Sequence, residues 1–300
     1  MVNEQGNRIE AHVDDSRLVR RPRVGHIEFL NCLPIYWGLA RSGALLDVEL
    51  HRAPPDQLNH ALVQGHLDIG PISLVEYLRH SEELLLLPDL GVTADGPVLS
   101  VNLSSKVPLA ESGPNPTVAL GSTSRTSVLL AKLLLEQRYG LAPVYHEAAP
   151  DIDTMIASAD MAVLIGDEAL KVHFGRGEDL NLSVLDLGAA WREWTALPMV
   201  FAVWAVRRDY AAANPGLVKG VLEAFLSSVE LSRRELEQVA AHASRWEPFE
   251  AVNLVDYFHK LWIGLGERHL SGLREFAAQA NRYFDVPPVA EGGPEFFAPT

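Results

Sequence analysis

Signals for strand and for helix alternate along almost the whole chain, and this alternation limits the possible folds more than any other feature. Strand-length apolar stretches at 24–29, 46–51, 68–71, 84–90 and 98–103 are divided by turn residues and by segments with helical spacing. The spacing predicts a helix opened by Pro34, one over 56–64 after Pro54–Pro55, and one over 74–80 capped by Ser73. Proline suits a first helical position, because the N–H it lacks would have been unpaired anyway. The segment SSKVPLAESGPNP, 104–116, is rich in Ser, Gly and Pro and reads as a crossover. Beyond it the pattern resumes, with strands at 117–120, 144–146 and 162–165 and helices over 128–139, 151–157 and 167–174. A strongly apolar strand follows at 200–206, and from Asn214 onward nearly everything reads as helix.

Interleaved strands and helices indicate parallel sheets with helices on both faces. Two such halves, a polar crossover near residue 105 and a late apolar strand near 203 predict an α/β protein with two lobes. The first lobe is expected to comprise 22–104 and 204–300, and the second 105–203, each a mostly parallel sheet flanked by helices. That is the plan of a type II periplasmic-binding-protein-like fold, with the ligand in the cleft between lobes. Residues 1–21 are charged, have no apolar core of the signal-peptide kind, and are expected to form a flexible extension. A cytoplasmic location is the corresponding expectation.

A net charge of −14 without any basic block makes nucleic acid an unsuitable partner. No apolar run approaches the roughly 20 residues of a membrane span. The single cysteine, Cys32, excludes an intramolecular disulfide and a multi-cysteine metal site. The eleven histidines are scattered, and HExxH, GxSxG, Walker A and GxGxxG patterns are all missing. Neither a metal nor a nucleotide cofactor is expected. An anionic ligand would need locally arranged donors, since the overall field of the protein repels it. The apolar faces of the C-terminal helices would permit a homodimer.

Candidate ligand-binding residues sit where strands run into helices, the place where open α/β sheets bind ligands. Asn31 in FLNCLP follows the first strand, with helix capping as the alternative role. Ser73 in GPISL occupies a similar junction. In GSTSRTS, the residues Ser122, Thr123, Ser124, Arg125 and Thr126 precede a helix, and one cap needs only one hydroxyl. Backbone N–H groups at a helix start, extended by hydroxyls and an arginine, make a donor set for carboxylate or phosphate. Gly166 marks a third junction in LIGDEAL. In WREW, Trp191 and Arg192 are candidates for ligand contact, with packing at the lobe junction as the alternative.

Taken together, FLNCLPIYWGL, PISLVEYL, DGPVLSVNLSSKVPL, VALGSTSRTSVLLAKLLL, AVLIGDEAL and LGAAWREWTALPMVFAVWAVR resemble one family in that order. It is the family of menaquinone-biosynthesis enzymes of the futalosine pathway, and the resemblance spans roughly 23–285. Within the family the chain is similar to the chorismate dehydratase branch, MqnA. The sister branch, the naphthoate synthase MqnD, opens with an SPCPNDT-like motif absent here, and its catalytic histidine falls near Gly166. The resemblance implies dehydration of chorismate, a small dicarboxylate, with no cofactor. It also implies that Asn31 and Ser100 (in GPVLSVNL) lie at the substrate ring as catalytic residues. The other candidates, Ser73, Ser122, Thr123, Ser124, Arg125, Thr126, Gly166, Trp191 and Arg192, are then expected to bind the substrate.

Overall fold

The chain lays down β1 (Arg23–His26), β2 (Glu49–Arg52), β3 (Ile69–Ser73) and β4 (Leu84–Ala94) before moving to a second sheet. There it forms β5 (Val101–Ser105), β6 (Thr117–Gly121), β7 (Val144–Ala148), β8 (Met161–Ile165) and β9 (Ser183–Asp186). It returns through β10 (Met199–Arg207) and adds a short β11 (Trp262–Ile263). The first sheet has the order β11-β4-β10-β3-β1-β2 and the second β7-β6-β8-β5-β9. The computed structural model describes residues 20–121 and 124–298. Most of the expected N-terminal extension therefore lies outside the described residues.

The sheets are mixed rather than mostly parallel. β1 pairs in parallel with β2 and β3, and β6 with β7 and β8, which is the part that strand–helix alternation predicts. β10 runs antiparallel to β3 and β4, and β5 antiparallel to β8 and β9. β5 and β10 are the strands that carry the chain from one sheet to the other, so each enters its new sheet from the opposite end. Both strands belong whole to one sheet, which puts the changeovers at 95–100 and 196–198 rather than near 105 and 203.

Alternate residues of β6 and β8 point to opposite faces, as strand geometry requires. Val118, Leu120, Met161 and Val163 face the main core, which also takes in the first sheet. Ala119, Ala162 and Leu164 face a smaller cluster with Ile152 and Met155 on the outer side. Both faces of these strands are thus covered by helices, which explains their unbroken apolar sequences.

The two changeovers are pinned together. Asp95 pairs with Arg192 at 2.6 Å and with Arg268 at 3.1 Å. Arg268, on the helix Glu267–Tyr283, also donates to the carbonyl of Ala196 at 3.1 Å. A methyl group at Gly272 of that helix would overlap the Pro198 carbonyl, so the second changeover lies directly on it.

Candidate active site

Four strand ends of parallel pairs meet at one cavity between the lobes. From the first lobe come Phe29 and Asn31 after β1 and Ser73 at the end of β3. From the second come Ser124 and Ser127 after β6 and Gly166 after β8. Ser100, at the end of the first changeover, closes the ring of polar groups, and Val92, Phe201 and Ala202 supply an apolar wall. The space the cavity offers is about 50 Å³, room for a water or two.

Asn31 lies in the 3-10 turn Leu30–Cys32, ahead of the helix Leu33–Ser42, whose N-cap is Cys32. Its side chain is therefore not a helix cap. Its Oδ1 is buried and has no hydrogen-bond partner among the described residues. An unpaired buried amide oxygen at a polar cavity is costly without a ligand to satisfy it. Burial pushes the neighbouring Cys32 thiol well above its usual range, with the Asp167 carboxylate adding to the effect. The thiol is thus a packing group and not a nucleophile.

Ser100 is 2% exposed, and its oxygen accepts a hydrogen bond from the Tyr257 hydroxyl at 3.1 Å. The only acceptor its own proton finds among the described residues is the Val98 carbonyl, at a long 3.4 Å. That length leaves the proton available to a better placed acceptor. The turn that delivers Ser100 is unusual, since Leu99 has φ +62°. Left-handed backbone at a leucine costs about 1–2 kcal/mol. Asp186 holds it there, accepting from the Val98 and Leu99 N–H groups at 2.9 and 2.7 Å while capping the helix Leu187–Thr195. Burial raises the Asp186 carboxyl pKa, against the lowering effect of those same N–H groups.

The remaining candidates divide. Ser73 starts the helix Leu74–Arg79 but makes no side-chain cap. Its N–H donates to Asn59 Oδ1 at 3.1 Å, and its hydroxyl lines the cavity. Ser124 does cap the helix Arg125–Leu133, accepting from the Ser127 N–H at 3.2 Å, and also reaches the cavity wall. Thr126 is buried and accepts from the Val75 N–H at 3.1 Å, which ties the GSTSRTS junction to the PIS junction across the lobes. Arg125 is exposed and stands outside the cavity wall. Ser122 and Thr123 lie outside the described residues.

Gly166 has φ +63°, and a Cβ there would stand 3.0 Å from the Phe29 ring. A side chain at that position is strained twice, by backbone and by contact. Trp191 is fully buried, donates from Nε1 to the Pro198 carbonyl at 3.2 Å, and packs edge-on against Phe276 of the opposite lobe. Arg192 is engaged with Asp95. Neither lines the cavity. Their tryptophan–arginine pattern serves the lobe junction, because a large aromatic with one N–H donor is stable when buried beside a free carbonyl.

Sequence reasoning missed Tyr257, Asn59, Asp186 and Asp167. The Asp167 Oδ1 accepts from the Leu30 N–H at 3.1 Å, across the lobes. Tyr257 and Asn59 read as ordinary helix positions, and nothing local announces their partners 157 and 14 residues away. A larger open groove of about 750 Å³ shares only Phe29 with the cavity. Its walls include Tyr36, Trp37, Arg52 and Trp246, all from first-lobe elements. His26 lies in it, and burial, with Arg52 adding, lowers its pKa to about 4.

Two α/β lobes joined by two changeovers, with polar strand ends converging on one interlobe cavity, define a binding-protein-like fold. The periplasmic aliphatic sulphonate-binding protein SsuA of Escherichia coli is similar in fold, with a TM-score of 0.61 at 18% identity over 90% of this chain and 94% of that one. The chain belongs to the menaquinone biosynthesis family, whose model matches residues 22–282. It is 32% identical to the chorismate dehydratase of Thermus thermophilus over 270 residues, 86% of this chain and 94% of that protein. It is 30% identical to the chorismate dehydratase of Campylobacter jejuni over 205 residues, 67% and 72% of the respective chains. Among the described residues no helix is long and apolar enough to cross a membrane.

Proposed function

We propose that the protein is a hydro-lyase that converts chorismate to 3-[(1-carboxyvinyl)oxy]benzoate and water, a step in menaquinone biosynthesis. The observation that carries this reading is the 32% identity to a chorismate dehydratase across both lobes and 94% of its length. Loss of water breaks the C3–H bond, and the electron pair left on C3 forms the new ring double bond as the C4 hydroxyl departs. The ring carboxylate acidifies C3–H through the conjugated double bond, and aromatisation drives the departure. The chain's task is to close on the substrate, exclude water and hold the ring in the reactive pose.

Asn31 and Ser100 are assigned to the ring. The unpartnered Asn31 Oδ1 and the Ser100 hydroxyl, whose oxygen is already occupied by Tyr257, leave polar groups free to orient the ring and its substituents. An amide is a poor base, so the proton is assigned to the substrate's own enolpyruvyl carboxylate. Ser73 and Ser124 are assigned to the carboxylates. Gly166 favours the dehydratase over the sister activity, because it carries no catalytic side chain and one placed there would be strained against the Phe29 ring. The enzyme is assigned to the cytoplasm. A homodimer through the C-terminal helices is a further part of the reading, motivated by exposed Trp246 and Val252, and sedimentation tests it.

Incubation with chorismate, followed by ultraviolet detection of an aromatic product, tests the activity. Asn31→Ala should reduce turnover about a hundredfold while leaving the fold intact. A wild-type protein that binds chorismate but releases no aromatic product would instead be a carboxylate-binding protein.

A further inference from the structure

The turn that presents Asn31 has no strand to hold it, yet its backbone is fixed from the other lobe. Leu30 donates its N–H to Asp167 Oδ1 at 3.1 Å, and the Phe29 ring seats on Gly166, the residue before Asp167. Phe29, Leu30 and Asn31 are consecutive, so one ring contact and one hydrogen bond immobilise the residue that follows them. We propose that Asp167 is a positioning residue, whose carboxylate locks the Phe29–Asn31 turn against the second lobe and so sets the Asn31 side chain in the cavity. This inference rests on the proposed dehydratase reading only for its effect on turnover.

The surroundings of Asp167 argue that its carboxylate is kept for a purpose. Burial raises its pKa to about 6, the Leu30 N–H works against that rise, Glu247 adds to it, Lys171 opposes it and Glu168 adds a little. Cys32 and Tyr257 also lie within reach of its charge. Partly burying a carboxylate beside two other acids is unfavourable, and the hydrogen bond its oxygen accepts from the Leu30 N–H offsets part of that cost. Its own helix, Gly166–Lys171, places it directly after the glycine on which Phe29 rests, so the two contacts act together.

The test compares Asp167→Asn with Asp167→Ala in the full-length protein. Asparagine keeps an oxygen for Leu30 and alanine does not. Two readouts are taken: steady-state kinetics with chorismate, and amide hydrogen exchange at Leu30 by nuclear magnetic resonance. Alanine should lower kcat about 10–100-fold with KM within about threefold, and speed Leu30 exchange by about tenfold or more. Asparagine should keep kcat at pH 8 within about threefold of wild type, with Leu30 still protected. Should alanine fail to fold, Asp167→Ser, too short to reach Leu30, takes its place. The proposal is overturned if alanine or serine leaves Leu30 protected. It is equally overturned if asparagine loses as much kcat as alanine, since the charge itself would then be what matters. If the wild type forms no product, the dehydratase reading fails, and the exchange readout alone still decides whether Asp167 holds the turn.

Discussion

The Tyr257 hydroxyl donates to the Ser100 oxygen across 3.1 Å in the protein interior. Tyr257 comes from the helix Ala251–Lys260 and Ser100 from the first changeover, so a C-terminal helix supports a residue of the cavity wall. Because Ser100 accepts this bond, its own proton is held only by the long contact to the Val98 carbonyl, and in the proposed reaction it is available to the substrate. Tyr257→Phe keeps the ring packing and removes only the donor. We expect kcat to fall about tenfold, the value of one buried hydrogen bond, with KM within about threefold. Steady-state kinetics with a thermal unfolding control checks it, and an unchanged kcat means that Tyr257 does not orient Ser100.

Thr126 offers a separate handle on lobe closure. Replacing it by valine preserves shape but strips the acceptor from the buried Val75 N–H. An orphaned buried N–H costs about 1–3 kcal/mol, and here that cost falls on the closed state. KM for chorismate should therefore rise about tenfold or more, with a smaller change in kcat. Equal losses in both parameters would place Thr126 in the chemistry instead.

Gly166→Ala combines a left-handed backbone with overlap on the Phe29 ring. The two effects should lower stability by about 2–4 kcal/mol, read as a reduced denaturant midpoint. If the midpoint does not move, Phe29 yields more easily than its packing suggests.

Asp167 also gives stability a defined pH dependence. Its folded pKa, about 6, lies above its ordinary value of 3.8. The folded state therefore holds this proton more tightly than the unfolded chain, so stability falls as pH rises from about 4 to about 6 and is level above that. Asp167→Asn should remove this component. Urea midpoints at several pH values should show the variant gaining on the wild type as pH rises through that window. A constant difference between the two proteins would contradict the assignment.

The fold was legible because alternation of apolar strands and spaced helices is a local signal. Asn31, Ser73, Ser124 and Gly166 could be singled out because strand ends are marked by small polar residues and turns, Ser100 only through the family resemblance, and all five line the same cavity. The direction of β5 and β10 was not legible, since a strand reads the same whichever way it enters a sheet. Trp191 illustrates an ambiguity: its chemistry suits a ligand and a core equally, and the structure packs it against Phe276, 85 positions further on, away from the cavity wall. Tyr257, Asp167 and Asn59 escaped because their meaning lies wholly in partners remote along the chain.

Arg268 touches both changeovers, through Asp95 on one and Ala196 on the other. Two strands of chain crossing between lobes would ordinarily permit bending, twisting and sliding. Because a single guanidinium joins both crossings, we expect any movement between the lobes to resemble rotation about one pivot more than the independent flexing of two straps.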